Sequence, residues 1–192
     1  MKKRKILACA FALICFSLST YGTIAYFTSD DVATNVITSG NIKIDLKETS
    51  ISDDGQEIVP FENKIGVMPG AEISKIVQVE NTGEQPAYIR VGVTKEIFLT
   101  QESSEEPDLS LITWDVNNDY WEEKDGYYYY KNVLEAGTLT EPLFITVVFD
   151  KNMGNMYQNS KAEITVSAQA TQVAHNGSNA LEAQGWPAEN NE

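Results

Sequence analysis

The sequence predicts an all-β fold made of two packed antiparallel sheets. Three observations support this prediction. About eight or nine segments have the composition of strands, turn residues recur between them at regular spacing, and no long amphipathic helix is present. Because runs of short strands without helices between them do not build parallel sheets, a mainly antiparallel arrangement follows.

The N-terminus has the composition of a secretory signal peptide. Four basic residues at positions 2–5 precede the apolar run Ile6–Leu18, and Thr23 and Ala25 place small residues at −3 and −1 of a cleavage site. We therefore predict cleavage after Ala25, so that Tyr26 begins the mature chain. The alternative is an uncleaved anchor, for which the run falls short of the roughly 20 apolar residues that span a bilayer.

The composition of the mature chain limits its partners. Four of the 14 Lys and Arg residues precede the cleavage site, so ten basic residues face 28 acidic ones and the net charge is near −18. Such a charge argues against nucleic acid and anionic lipid as partners. Both cysteines lie in the signal segment, so the mature domain has no disulfide. We predict one domain over residues 26–175 and a tail over residues 176–192.

The segment Tyr26–Thr38 is extended and mixes polar with apolar residues. Its apolar positions are Tyr26, Phe27, Val32, Val36 and Ile37. Two alternatives stay open: the segment pairs as the first strand of its own domain, or it pairs into a neighbouring copy.

Clean alternation predicts the next strand. In Asn41–Lys47, Ile42, Ile44 and Leu46 share one face, which is the pattern of a half-buried strand. The following polar loop carries the acidic pair of Asp53–Gly55, which is either a plain turn or a weak candidate for calcium.

Two further strands surround a tight turn. Val67–Gly70 predicts a turn before the strand Ile73–Glu80, and Asn81–Gly83 predicts a second turn before Ala87–Thr94. We expect the second turn to use bonds from side chain to backbone and a positive φ.

Aromatic residues dominate the next hairpin. The turn Lys124–Gly126 joins a strand that contains Trp121 to the return strand Tyr127–Tyr130. Alternation places two tyrosines on each face, so they either pair with Trp121 across the hairpin or present exposed rings that stack on sugars.

The last elements are read from their periodicity. Leu143–Asp150 predicts a strand buried on both faces in the middle of a sheet, and Ala162–Ala174 is the longest strand candidate. Ser178–Gln184 predicts one or two helical turns, and Trp186 is positioned to dock the tail onto the domain.

The residues with catalytic potential are few. The chain has a single histidine, His175, and it has neither an HExxH pair nor a G-x-S-x-G elbow. We therefore assign no catalytic, cofactor-binding or metal-binding residue, and enzyme activity is not expected.

Three blocks carry a family resemblance. GTIAYFTSDDVATNVITSGNIKIDL, MPGAEISKIVQVENTGEQPAYIRVGV and NMYQNSKAEITVSAQATQ resemble the TasA/camelysin family of Gram-positive bacteria. That family is secreted through the dedicated signal peptidase SipW. The junction block matches through Gly22–Ala25, the Tyr26-Phe27 pair, Asp30-Asp31, Asn35, Gly40, Ile42 and Ile44.

The resemblance implies a jelly-roll β-sandwich and a secreted subunit of extracellular or biofilm matrix fibres, similar to the BsaA-type matrix proteins. Expected partners are further copies of the chain, a SipW-type signal peptidase and other matrix proteins. Two alternatives remain: a camelysin-like cell-surface metallopeptidase, and a monomeric surface adhesion or accessory domain.

Exposed strand edges suggest how such a subunit assembles. Unpaired N–H and C=O groups at a sheet edge can accept a strand from another chain. Our hypothesis is that Tyr26–Thr38 is the donor strand.

Overall fold

The computed structural model describes residues 27–31, 35–38, 42–100 and 105–187. Within these ranges the protein is almost entirely β-structure and has no α-helix. Its strands are β1 Phe27–Asp31, β2 Asn35–Thr38, β3 Ile44–Ile51, β4 Ile58–Pro60, β5 Lys64–Val67, β6 Glu72–Ser74, β7 Ile76–Asn81, β8 Ala87–Phe98, β9 Ile112–Trp114, β10 Trp121–Lys124, β11 Tyr127–Tyr130, β12 Thr146–Phe149 and β13 Lys161–Gln172. Leu109–Leu111 and Asn155–Tyr157 form short 3-10 helices.

The strands form one large and two small sheets. The large sheet has the order β10-β11-β8-β13-β1-β5, with β2 also paired to β13. The small sheets have the orders β6-β12-β9 and β4-β3-β7. Most pairs are antiparallel, as predicted, whereas β1 and β2 run parallel to β13.

The two small sheets are joined by backbone hydrogen bonds. The N–H of Lys75, between β6 and β7, donates to the C=O of Ile145, and the N–H of Val77 donates to the C=O of Phe144. The N–H of Thr140 in turn donates to Val79. The chain from residue 138 to β12 therefore lies along β6 and β7 and connects the small sheets.

A single apolar cluster contains residues from all three sheets. Leu46 of β3, Ile89 of β8 and Val147 of β12 belong to it, and its largest fully buried side chains are Trp121, Phe144 and Phe149. The alternation predicted for Asn41–Lys47 is confirmed, because Ile42, Ile44 and Leu46 are buried, although the strand that forms, β3, begins at Ile44.

The longest strands also match their predicted patterns. β8 begins at Ala87 as predicted and continues four residues further, to Phe98. β13 buries its alternating small residues, which include Ala162, Ala168 and Ala170. These two strands pair over twelve residues and form the centre of the large sheet.

Two predicted elements are wrong. Leu143–Asp150 does lie centrally in its sheet, but the strand covers only Thr146–Phe149, and Ile145 is 45% exposed. Burial on both faces therefore does not hold. Ser178–Gln184 forms turns instead of a helix, because its polar groups bond to the end of β13 and to each other.

The turn at Asn81–Gly83 is confirmed in its side-chain bonds but not in its φ. The Asn81 carboxamide accepts from the N–H of Gly83 and donates to the C=O groups of Gln85 and Leu134. Gly83 does not have a positive φ. Glycine is favoured here for a different reason, because a Cβ would lie 3.0 Å from the backbone nitrogen of Lys43 and would push the two segments apart.

Candidate functional site

The edge of β13 opposite β8 is occupied by the N-terminal segment. β8 covers one edge of β13 along its whole length, so β1 and β2 share the other edge. β1 pairs with positions 161–164, and β2 pairs with positions 167–170. We call this edge of β13, together with β5, the acceptor slot.

β5 forms the second wall of the slot. It pairs antiparallel with β1, with Phe27 opposite Val67 and Ser29 opposite Lys64, and the register shifts between Phe27 and Thr28. β1 therefore lies between two strands and contributes to both ladders. Removing it separates β5 from the rest of the large sheet.

The floor of the slot is apolar and closely packed. Val36 of β2 is partly buried and packs against the central cluster, beside its register partner Ala168. The β13 side chains facing the cluster are small or β-branched, and Ala162, Ala168 and Ala170 are fully buried. An incoming strand therefore gains apolar contacts as well as backbone hydrogen bonds.

The predicted site residues fall partly within the described residues. Phe27 lies on β1, and Val36 and Ile37 lie on β2, so these three predicted assembly residues are in the acceptor slot of their own chain. The predicted cleavage residues Thr23, Ala25 and Tyr26, and the assembly residue Val32, lie outside the described residues. Of the two alternatives for the N-terminal segment, pairing within its own domain is the arrangement found in this single chain.

The tyrosine hairpin provides no exposed platform for sugars. The Lys124–Gly126 turn forms as predicted, with positive φ at Asp125 and Gly126. Tyr128 and Tyr130 point into the core, and the rings of Tyr130 and Trp121 lie 5.1 Å apart. Burial is the main reason that the pKa values of Tyr128 and Tyr130 are raised.

The other face of the hairpin is covered by the end of the described chain. Tyr129 packs with Tyr88, Ala180 and Ala183, and Trp186 meets its ring edge-on at 5.8 Å. We call residues 173–187 the C-terminal strap. Docking of the tail through Trp186 is thereby confirmed.

Arg90 contacts both the large sheet and the C-terminal strap. Its guanidinium lies 3.9 Å from the ring centre of Tyr127 and 4.8 Å from that of Trp186. It also donates to the carboxamide oxygen of Gln169 and to the hydroxyl of Tyr129. No local sequence pattern predicts this cluster, because its members come from four separate segments.

The acidic pair at the Asp53–Gly55 loop takes part in a turn. The Asp54 carboxylate accepts from the Ser52 hydroxyl and from the N–H of Gln56, and these bonds lower the pKa of Asp54. Gly55 has a φ of +72°, as such a turn requires. In the part of the chain that the structure describes, no three His, Cys, Asp or Glu side chains are grouped to hold a metal ion.

A cleft opens beside the acceptor slot. It is a cavity of about 490 Å³ between β5, β6 and the loop that follows β3. Its apolar wall includes Ile51, Val67 and Met68, and Ile51 and Met68 are each 46% exposed. We call it the β5–β6 cleft. Sequence reasoning missed it because its walls come together only in the folded chain.

The chain was also compared with known proteins. No family model, no curated protein and no solved structure matches it. None of the helices in the described ranges is long and apolar enough to cross a membrane.

Proposed function

We propose that this protein is a secreted structural subunit of the extracellular or biofilm matrix, and that it assembles into fibres by adding its N-terminal strand to a neighbouring copy. The proposal includes removal of residues 1–25 by a SipW-type signal peptidase and a jelly-roll-like sandwich for the domain. It places the protein in the TasA/camelysin family.

One observation carries the proposal: β1 and β2 fill an edge of β13 in parallel. The first strands of the chain thus pair with its last strand, and β1 has no described segment before it. The same pairs can form when a second copy provides β1 and β2, since the acceptor slot is unchanged. Exchange of an identical element is a low-cost route to assembly, and a head-to-tail exchange that does not close gives filaments.

A cysteine cross-link can tell the two arrangements apart. The mature chain has no cysteine of its own, so a Val36→Cys/Ala168→Cys variant places one pair across β2 and β13. Oxidation of assembled protein is expected to give a ladder of covalent oligomers on a non-reducing gel. As the control, Val93→Cys/Val166→Cys joins β8 to β13 within one chain and is expected to give monomers only.

Point variants provide a second, matched test. Val36→Asp puts a charge into the acceptor slot, whereas Val133→Asp puts the same charge on an exposed valine. Negative-stain microscopy and light scattering at neutral pH and at pH 4–5 should show filaments of the mature chain and of Val133→Asp. They should show none for Val36→Asp or after deletion of Tyr26–Ser39.

The outcomes separate the candidate functions. Long filaments from the chain that lacks Tyr26–Ser39 would exclude the donor-strand mechanism. A monodisperse monomer under every condition would exclude the fibre and favour a surface accessory domain.

A further inference from the structure

We propose that the β5–β6 cleft is a binding site for the new N-terminus of the chain, with the ring of Tyr26 on the apolar wall and its α-ammonium group at the carboxylate of Glu72. The ligand class is an aromatic N-terminal residue with a free amine. This inference rests on the cleavage after Ala25 that belongs to the proposed function.

The strand register brings the N-terminus to this place. β1 runs antiparallel to β5, and Phe27 is the partner of Val67. β1 thus begins opposite Val67, and its chain direction leads back toward Met68, the residue after Val67. Val67 and Met68 both line the cleft. The first described residue of β1 therefore pairs with a residue of the cavity wall, and Tyr26 directly precedes it in the sequence.

The cleft has room and apolar surface for a ring. Its volume of about 490 Å³ exceeds what one side chain needs. Ile51 and Met68 leave nearly half of their surface open there, and Ala71 and Ile73 line the same cavity. Exposed apolar residues grouped around a concavity mark a binding surface, and a tyrosine ring covers such a surface while its hydroxyl stays in water.

The charges of the cleft match a single cation. The Lys64 ammonium lies 3.8 Å from the Asp53 carboxylate, so these two charges offset each other. Glu72 lines the same cavity, and its carboxylate has no ion pair or hydrogen bond among the described residues. One negative charge is left, which an α-ammonium group would balance. The precursor has no free amine at this position, so cleavage would complete the site.

The test compares two chains that differ only at the N-terminus. One begins at Tyr26, and the other keeps the native residues Ile24 and Ala25 in front of it. Each is also made with Glu72→Gln, and with Glu84→Gln as a control for the loss of an exposed carboxylate that does not line the cleft. The readouts are the melting temperature and the rate at which the α-amine is acylated near its ordinary pKa of about 8.

We expect the chain that begins at Tyr26 to melt higher than the extended chain, and Glu72→Gln but not Glu84→Gln to remove the difference. The nearby carboxylate favours the charged amine, so acylation should be about tenfold slower in the mature chain than in its Glu72→Gln variant. Tyr26→Ala should lose most of the gain in melting temperature.

Equal melting temperatures and equal acylation rates in all variants would overturn the inference. Microscopy of the same samples tests the proposed function separately. If filaments form but neither the melting temperature nor the acylation rate depends on Glu72, the fibre proposal stands and the cleft site is refuted. If the melting temperature rises in a Glu72-dependent way but no filaments form, the cleft site stands and the fibre proposal is refuted.

Discussion

A buried ion pair between Glu48 and Lys75 offers a sharp test of how the fold is held together. Glu48 lies on β3, and Lys75 lies between β6 and β7, so the pair joins the strands beside the β5–β6 cleft. The Lys75 ammonium is 2.7 Å from the Glu48 carboxylate, and their side chains are only 3% and 7% exposed. The same ammonium lies 3.9 Å from the ring centre of Phe61.

We predict that Lys75→Met destabilises the domain by about 3–5 kcal/mol, because it leaves the Glu48 carboxylate buried without its cation. For a domain of this size, 1 kcal/mol corresponds to about 2–4 °C in melting temperature. The expected loss is therefore on the order of 6–20 °C. Glu48→Leu alone should also destabilise the domain, since it removes the carboxylate that lies 2.7 Å from the buried ammonium.

The double variant Glu48→Leu/Lys75→Met removes both charges together. Replacing a buried pair by apolar groups is often neutral or stabilising by about 1–4 kcal/mol, so most of the lost stability should return. Lys47→Met is the control, because Lys47 is ion-paired with Asp45 and Glu80 but 40% of its side chain is exposed. Its melting temperature should match that of the parent chain.

Thermal unfolding followed by circular dichroism measures the parent chain and the four variants under one condition. The reasoning would be refuted if the single variants melted with the parent chain, which would mean that the charges reach water. It would also fail if the double variant lost the sum of the two single losses, since the two sites would then act independently.

Three further predictions concern the C-terminal strap and the tyrosine hairpin. Gly177→Ala places a Cβ 2.6 Å from a backbone carbon of the strap and should cost about 1–3 kcal/mol in urea unfolding, whereas Gly154→Ala meets no atom within 4 Å and should be silent. Trp186→Ala removes the ring that covers the sheet and should cost about 1–3 kcal/mol by the same measurement. Burial raises the pKa values of Tyr128 and Tyr130, so their contribution to stability is complete below about pH 10 and is lost as the pH rises through the raised values. Melting temperatures between pH 9 and pH 12 should therefore fall together with the appearance of phenolate absorbance, and a fall that is complete below pH 9 would contradict this assignment.

Local sequence patterns correctly predicted side-chain burial where a single strand packs one of its faces on the core. The alternation at Ile42, Ile44 and Leu46 directly predicts which side chains are buried, because a strand has only two faces. The hairpin turn at Asp125-Gly126 was equally readable, since few residues accept positive φ.

Patterns failed where distant segments decide the outcome. The apolar run before β12 predicted burial on both faces, yet Ile145 is exposed because this part of the sheet is covered on one side only. The helix predicted after Ser178 does not form, because hydrogen bonds from distant segments hold the chain in turns. The Tyr88 hydroxyl donates to the C=O of Gly177, and the Thr171 hydroxyl donates to the C=O of Gln184. The β5–β6 cleft likewise depends on three segments that no local pattern links.

The link after the N-terminal strand limits the geometry of any assembly by exchange. β2 ends at Thr38 and β3 begins at Ile44, so six steps of at most about 3.6 Å can separate a donated strand from its own domain by about 20 Å. Neighbouring domains in such a filament must therefore touch, and they cannot hang as beads on a flexible thread. Two chains with a charge near −18 each after the proposed cleavage, against −14 for the full sequence, then meet within a few Debye lengths, which are about 8 Å at physiological ionic strength. Strand exchange leaves the contacts in the acceptor slot unchanged, so this repulsion is the main term that differs between monomer and filament. Added salt screens this repulsion, and mild acid lowers the net charge. The equilibrium between monomer and filament should therefore move toward filaments as the salt concentration rises or the pH falls.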